Sequence, residues 1–217
     1  MRSGIIRVVP DSPTTLPTLE ITVTQAAGLI IPNPNLLFPG SDFNNWTDFL
    51  ANITTATEGS NAQGLNPIIS QSMLGGMGYT SALRVNGTIT ATAELFTGIL
   101  APGFSTGLAA IEFQINGTAD RSMAVTLTDG TGNATGNIVH AWNLGDVGVN
   151  DINAVYNGIF PQYAGTIDTE GNWVTVRLDL MGIDISNATR FQIRAGGLSG
   201  GNTFDLLIDN IVKVPLS

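Results

Sequence analysis

The chain of 217 residues has no cysteine. Disulfide frameworks, thiolate nucleophiles and zinc–thiolate sites are therefore excluded, and stability must come from packing, hydrogen bonds or a hard metal. Charge is also scarce. Charged residues make up 12% of the chain, Lys213 is the sole lysine, and the net charge of −9 reflects missing bases as much as added acids. Without clustered cations to neutralise phosphate, nucleic acid is not an expected partner, and anionic membrane surfaces are disfavoured for the same reason. No stretch approaches the roughly 20 apolar residues of a membrane helix, so no membrane insertion is expected. The opening MRSGIIRVVPDSP lacks an apolar core followed by a small-residue cleavage site, so any export signal is expected outside it. His140, the sole histidine, lies in the apolar run NIVHAWNLG and reads as structural rather than catalytic.

Glycine is plentiful, at 26 residues, and short runs alternate apolar and polar side chains. These are Leu19 to Thr24, Ala82 to Val85, Ala110 to Asn116, Met123 to Thr128, Trp173 to Leu180, Phe191 to Ala195 and Phe204 to Val214. Period two predicts strands with one face in a core. Asn86-Gly87, Asn116-Gly117, Asp129-Gly130, Gly132-Asn133 and Gly171-Asn172 read as turns, because such pairs supply positive φ at low cost. The pattern predicts an all-β chain built as an antiparallel sandwich or barrel. One short helix is expected around Asn45 to Asn52, with Trp46, Phe49 and Leu50 on one side. The IPNPN stretch near Pro32 to Pro34 predicts a boundary, with residues 1–33 a linker or an extra edge strand and 34–217 the sandwich.

Four blocks stand in order along the chain: NLLFPGSDFNNWTDF from Asn35, GGMGYTSALRV from Gly75, GNWVTVRLDL from Gly171 and FQIRAGGLSGGNTFDLLIDNIVKV from Phe191. Together, over about residues 35 to 214, they resemble the jelly-roll carbohydrate-binding modules appended to bacterial polysaccharide-degrading enzymes such as xylanases and laminarinases. The resemblance implies a two-sheet antiparallel jelly roll. It also implies a secreted or cell-surface setting and covalent linkage to other domains in a longer parent chain. In that family a calcium ion often ties the opening to the closing strand, and the matching positions are Asp42, Asn44 and Asp209. The family usually has Glu directly after the opening Phe, whereas Asn44 follows Phe43 here, one charge fewer for the ion.

If Leu83, Val85, Ile111, Phe113, Ile115, Val174, Val176, Leu178, Phe191 and Ile193 face the core, their neighbours point the other way. That set contains Arg84, Glu112, Gln114, Arg177, Asp179, Gln192 and Arg194, able to bond sugar hydroxyls across a shallow groove or simply to form a solvated face. The stretch from Trp142 to Tyr163 is long for a connection and offers Trp142, Tyr156 and Tyr163 as stacking surfaces, or else as plugs of the sandwich end. Trp46 and Trp173 fit a core role.

The expected function is non-catalytic binding of a neutral or weakly charged polysaccharide or oligosaccharide. A structural or adhesive sandwich is the alternative. A hydrolase or lyase ranks third, since Glu94, Glu112, Asp179 and Asp205 form no compact acidic motif.

Overall fold

The computed structural model describes residues 2–8, 19–25, 33–54, 66–78, 80–131, 137–148, 156–158, 161–197 and 201–216, with residues 2–8, 19–25, 54, 66–68, 93 and 156–157 described by backbone alone. The chain divides into two units, Met1–Pro34 and Asn35–Ser217. In the first, the Leu19 run forms β2 (Leu19–Gln25), but its partner is β1 (Arg2–Val8), in an antiparallel two-stranded sheet. The first unit thus has a sheet of its own where the sequence suggested a linker or an added edge strand.

The second unit is a jelly-roll sandwich of two antiparallel sheets. The first sheet runs β10 (Tyr156–Gly158), β9 (Ile138–Asn143), β8 (Met123–Thr128), β13 (Arg190–Ala195), β6 (Ala93–Ile99) and β3 (Ile53–Thr54). The second runs β11 (Ile167–Asp168), β7 (Leu108–Ala119), β14 (Asn202–Pro215), β5 (Ala82–Ile89) and β4 (Asn66–Ser72), with β12 (Val174–Asp179) also paired to β7. All ten residues expected to face the core are buried. The strands β4, β6 and β9 carry too little regular alternation to be read in advance. β8 is buried at every position, because both its faces are covered where the pattern promised one.

The Asn-Gly pairs at 86–87 and 116–117 are not turns. They lie within β5 and β7. Gly117 has φ 124°, and a Cβ there would come within 2.1 Å of the Asp205 carbonyl oxygen, so the glycine serves close backbone approach rather than chain reversal. Asp129-Gly130 and Gly171-Asn172 do fall in turns, with φ of 72° and 76° at the glycines. Gly132-Asn133 lies outside the described residues.

The helix α1 spans Trp46–Ala51, capped by Asn45, whose Oδ1 accepts the Asp48 N–H at 3.3 Å. Phe49 is fully buried, and its ring lies 5.1 Å from Phe43, 4.9 Å from Trp46 and 5.4 Å from Phe96. Leu50 points away and is 48% exposed, so it does not share the buried side expected of it.

Candidate functional site

The polar set expected to line one groove is split between two opposite faces. Arg84, Glu112, Gln114, Arg177 and Asp179 lie on the second sheet, and Gln192 and Arg194 on the first. Core-facing side chains fill the space between the sheets, so the two groups cannot touch one ligand. On the second sheet most charges are already spoken for. Arg177 bonds Glu112 at 2.6 Å and Asp179 at 2.8 Å, and Arg84 bonds Asp205 at 2.9 Å with both side chains about half exposed. The two acids hold the Arg177 guanidinium above its usual pKa, Glu112 contributing most. Glu112 and Asp179 share the one arginine.

The outer face of the first sheet is different. Asn143 of β9, Ala124 of β8, Arg194 of β13 and Glu94 of β6 are paired in turn across the sheet, and Tyr156 of β10 pairs with Asn143. One step along lie Ala141, Thr126, Gln192 and Thr97. A bulge at Leu95 re-aims Glu94 to this face. Glu94 is 4% exposed, and Gln192, Thr126 and Thr97 are fully buried. Glu94 accepts Thr97 Oγ1 at 2.9 Å and Arg194 Nη1 at 3.5 Å. Gln192 Oε1 accepts Thr126 Oγ1 at 2.8 Å and Arg194 Nη1 at 3.2 Å.

Tyr163 joins this row from the loop before β11: Arg194 Nε donates to its hydroxyl at 3.4 Å. Arg121 supports it from behind, donating to the Tyr163 carbonyl at 2.8 Å and to the Gly197 carbonyl at 2.9 Å, with its guanidinium 5.7 Å from the ring centre. Asn143 Oδ1 accepts the Gln162 N–H. Two groups of this face, Asn143 Nδ2 and Thr128 Oγ1, are buried without a hydrogen-bond partner. Buried polar groups are normally satisfied, so these two have hydrogen-bonding capacity left for a water or another molecule's polar group.

The aromatic platform expected between Trp142 and Tyr163 does not form. Trp142 is 1% exposed on the core side of β9, where its ring stands edge-on to His140 with centroids 4.5 Å apart. Tyr163 is 8% exposed and offers its hydroxyl rather than its face. Tyr156 is in β10, its backbone in register with Asn143. The supposed long loop is thus interrupted by strand. Trp46 packs against the core and, like Trp173, is partly buried. Sequence reasoning weighed Glu94 only as a hydrolase acid and passed over Asn143, Thr97, Thr126 and Arg121. The alternation of Arg190, Gln192 and Arg194 along β13 was the available signal.

Asp42, Asn44 and Asp209 meet at one end of the second sheet. Asp209 is fully buried. Its Oδ2 accepts the Met77 N–H at 2.9 Å and Thr80 Oγ1 at 3.1 Å, and its Oδ1 accepts the Asn210 N–H at 2.8 Å. Burial pushes its pKa up to about 6 against these bonds, and the charge of nearby Asp42 adds to the rise. Asn44 donates to Asp42 Oδ2 at 3.2 Å and accepts the Ser81 N–H at 3.1 Å. Gln114, paired with Asp209 across β7 and β14, has a buried Oε1 with no partner. Oxygen donors and two carboxylates suit calcium in kind, since a carboxylate pair offers more lone pairs than these bonds use. The GGMG run is the loop over this corner. A Cβ at Gly76 would lie 2.7 Å from Asp209 Oδ2.

The pattern Gly-x-Ser-x-Gly occurs at Gly103-Phe104-Ser105-Thr106-Gly107. It lies in the turns between β6 and β7, not at the strand-to-helix corner of a nucleophile elbow.

Comparison with protein families and with curated proteins finds no match. Among solved structures, the chain is similar to a family 11 carbohydrate-binding module of the cellulosomal cellulase Lic26A-Cel5E of Clostridium thermocellum, at 15% identity over 70% of this chain and 84% of that one, with a TM-score of 0.44. A second structure of a Clostridium thermocellum family 11 module, in complex with a beta-1,3-1,4-mixed-linked tetrasaccharide, gives 16% identity over 70% and 86%, TM-score 0.44. The enzymatically active domain of bacteriophage CBA120 tailspike protein 4 gives 13% identity over 69% of this chain and 17% of that one, TM-score 0.37. The jelly-roll assignment rests on this chain's own sheets.

Proposed function

We propose that the sandwich is a non-catalytic carbohydrate-binding module whose glycan site is the outer face of the first sheet around Arg194. The observation that carries this reading is Asn143 Nδ2, a buried donor without a partner in a row that also holds Arg194, Glu94 and Tyr163. Planar polar groups in such a row suit paired sugar oxygens, and Arg194, its side chain 17% exposed, is where the covered face reaches the surface. The four sequence blocks support the same class. The reading rests on the hydrogen-bonding side chains of the row; among the described residues the large aromatics are buried or partly buried.

The module is read as part of a longer secreted or surface protein, with calcium held by Asp42, Asn44 and Asp209. When bound, the ion would neutralise the two carboxylates and staple the opening segment to β14.

The test is a binding screen of the purified chain, with calcium, against plant and algal polysaccharides, repeated on Asn143→Ala. Saturable binding that falls at least tenfold in the variant, at an unchanged melting temperature, is the expected result. Absence of binding across the array would sink the reading and favour a structural or adhesive sandwich. Met73, Leu74 and Met77, exposed together on the loop over Asp209 at 59%, 66% and 45%, are the observation on that side.

A further inference from the structure

Gln114 stands in β7 on the outer face of the second sheet, in register with Asp209 of β14 on one flank and Thr175 of β12 on the other. Its Oε1 is buried and finds no donor among the described residues. Residues paired directly across antiparallel strands share a face, with Cβ atoms about 4.5–5.5 Å apart, so the pairing brings Gln114 to the corner that Asp209 occupies. Its neighbours along β7 on the same face are committed elsewhere. Glu112 bonds Arg177, and Asn116 bonds the Gly171 carbonyl and the Thr169 hydroxyl.

An ionised carboxylate only accepts, and so does an amide oxygen. Asp209 and Gln114 Oε1 therefore cannot satisfy one another, and the donors around Asp209, from Met77, Thr80 and Asn210, bond Asp209 and not Gln114. A cation resolves such a meeting of acceptors. Calcium takes roughly six to eight oxygen ligands, more than the side chains of Asp42, Asn44 and Asp209 supply. Asn44 also has its one side-chain oxygen engaged by the Ser81 N–H. A further buried oxygen with nothing bound to it is what this corner lacks.

We infer that Gln114 Oε1 is a further ligand of the calcium ion held by Asp42, Asn44 and Asp209, supplied by the sheet where the opening segment carries Asn44 in place of Glu. The inference rests on the calcium reading of that corner, and it withdraws Gln114 from the residues expected to bond sugar. It extends the ion's tether from β14 to β7, so that calcium clamps the opening segment, the closing strand and an interior strand of the second sheet together. A neutral amide adds an oxygen without restoring the missing charge, so a carboxylate at position 114 would hold the ion more tightly.

The experiment is calorimetric titration of calcium chloride into the whole chain after chelator treatment, paired with thermal melts in chelator, for the native chain, Gln114→Leu and Gln114→Glu. Leu removes the oxygen, and is expected to weaken calcium roughly tenfold or more. In chelator its Tm should be unchanged or higher, because Oε1 gives up no hydrogen bond. Glu is expected to tighten calcium by a similar factor and, through repulsion with Asp209, to lower Tm in chelator. Equal calcium affinity in the native chain and both variants would overturn the Gln114 assignment and leave the calcium corner standing. A Leu variant that melts lower in chelator by as much as in calcium would do the same, since that loss marks an amide donating to its neighbours. No calcium binding by the native chain would overturn both.

Discussion

Asp209 in the closing strand accepts the backbone N–H of Met77, 132 positions away in the chain, at 2.9 Å. That bond ties the glycine-rich loop 75–78 to β14 through a fully buried carboxylate, and it is the burial, against this bond, that raises the Asp209 pKa.

Asp209 is an acid whose folded pKa is raised, from 3.8 to about 6. The folded state therefore takes up its proton first as pH falls, and the cost of the buried charge, present in full above pH 6, is relieved between pH 6 and about 4. The expected gain is at most about 3 kcal/mol, which is several degrees in Tm for a domain of this size. Asp129, pulled down to about 2 by the Thr131 amide and the Asn137 side chain, acts oppositely but only below about pH 4. Thermal melts in chelator from pH 7 to 5 check this. A Tm that falls steadily over that interval would show that Asp209 does not carry the shift.

Calcium should act on the same group. At pH 7 it is expected to raise Tm over the chelator-treated chain, and Asp209→Asn should remove that increment, because the ion loses one of its two carboxylates. Unchanged melting in both chelator and calcium, with no metal found by elemental analysis, would dismiss the site.

Gly76→Ala should destabilise the domain by about 1–3 kcal/mol, as expected of overpacking. The added methyl would sit 2.5 Å from Thr80 Oγ1 and 2.7 Å from Asp209 Oδ2. Denaturant titration would register the loss, and the calcium increment should shrink with it.

Arg84→Ala should change stability by less than about 1 kcal/mol, because its pair with Asp205 is exposed. Phe49→Ala should cost about 3–5 kcal/mol, since its ring is fully buried among Phe43, Trp46 and Phe96. Comparing the two by urea unfolding separates surface pairing from the aromatic core.

The core was legible in the sequence because alternation is local. Leu83 and Val85, or Ile111, Phe113 and Ile115, must share a face whatever their strands pair with. The same argument placed Arg84, Glu112, Gln192 and Arg194 outside the core, and it assigned Asp42, Asn44 and Asp209 to one corner only by resemblance. It misread Asn116-Gly117 as a turn, because a glycine needed for close approach to the Asp205 carbonyl looks the same as one needed for positive φ in a reversal. It also misread Trp142: an aromatic in a polar-rich stretch has no local mark of which side of a strand it will occupy.

By itself, then, the sequence determined that these strands have an inside and an outside, since period two follows from backbone geometry alone. Which outer residues become neighbours was decided by pairing between strands far apart in the chain. The register of β13 with β6 and β8 put Arg194 beside Glu94 and Ala124. The stacking of two sheets sent Arg84 and Glu112 to the opposite side of the molecule. Non-local pairing depends on packing of the whole core, and no stretch of sequence encodes it separately.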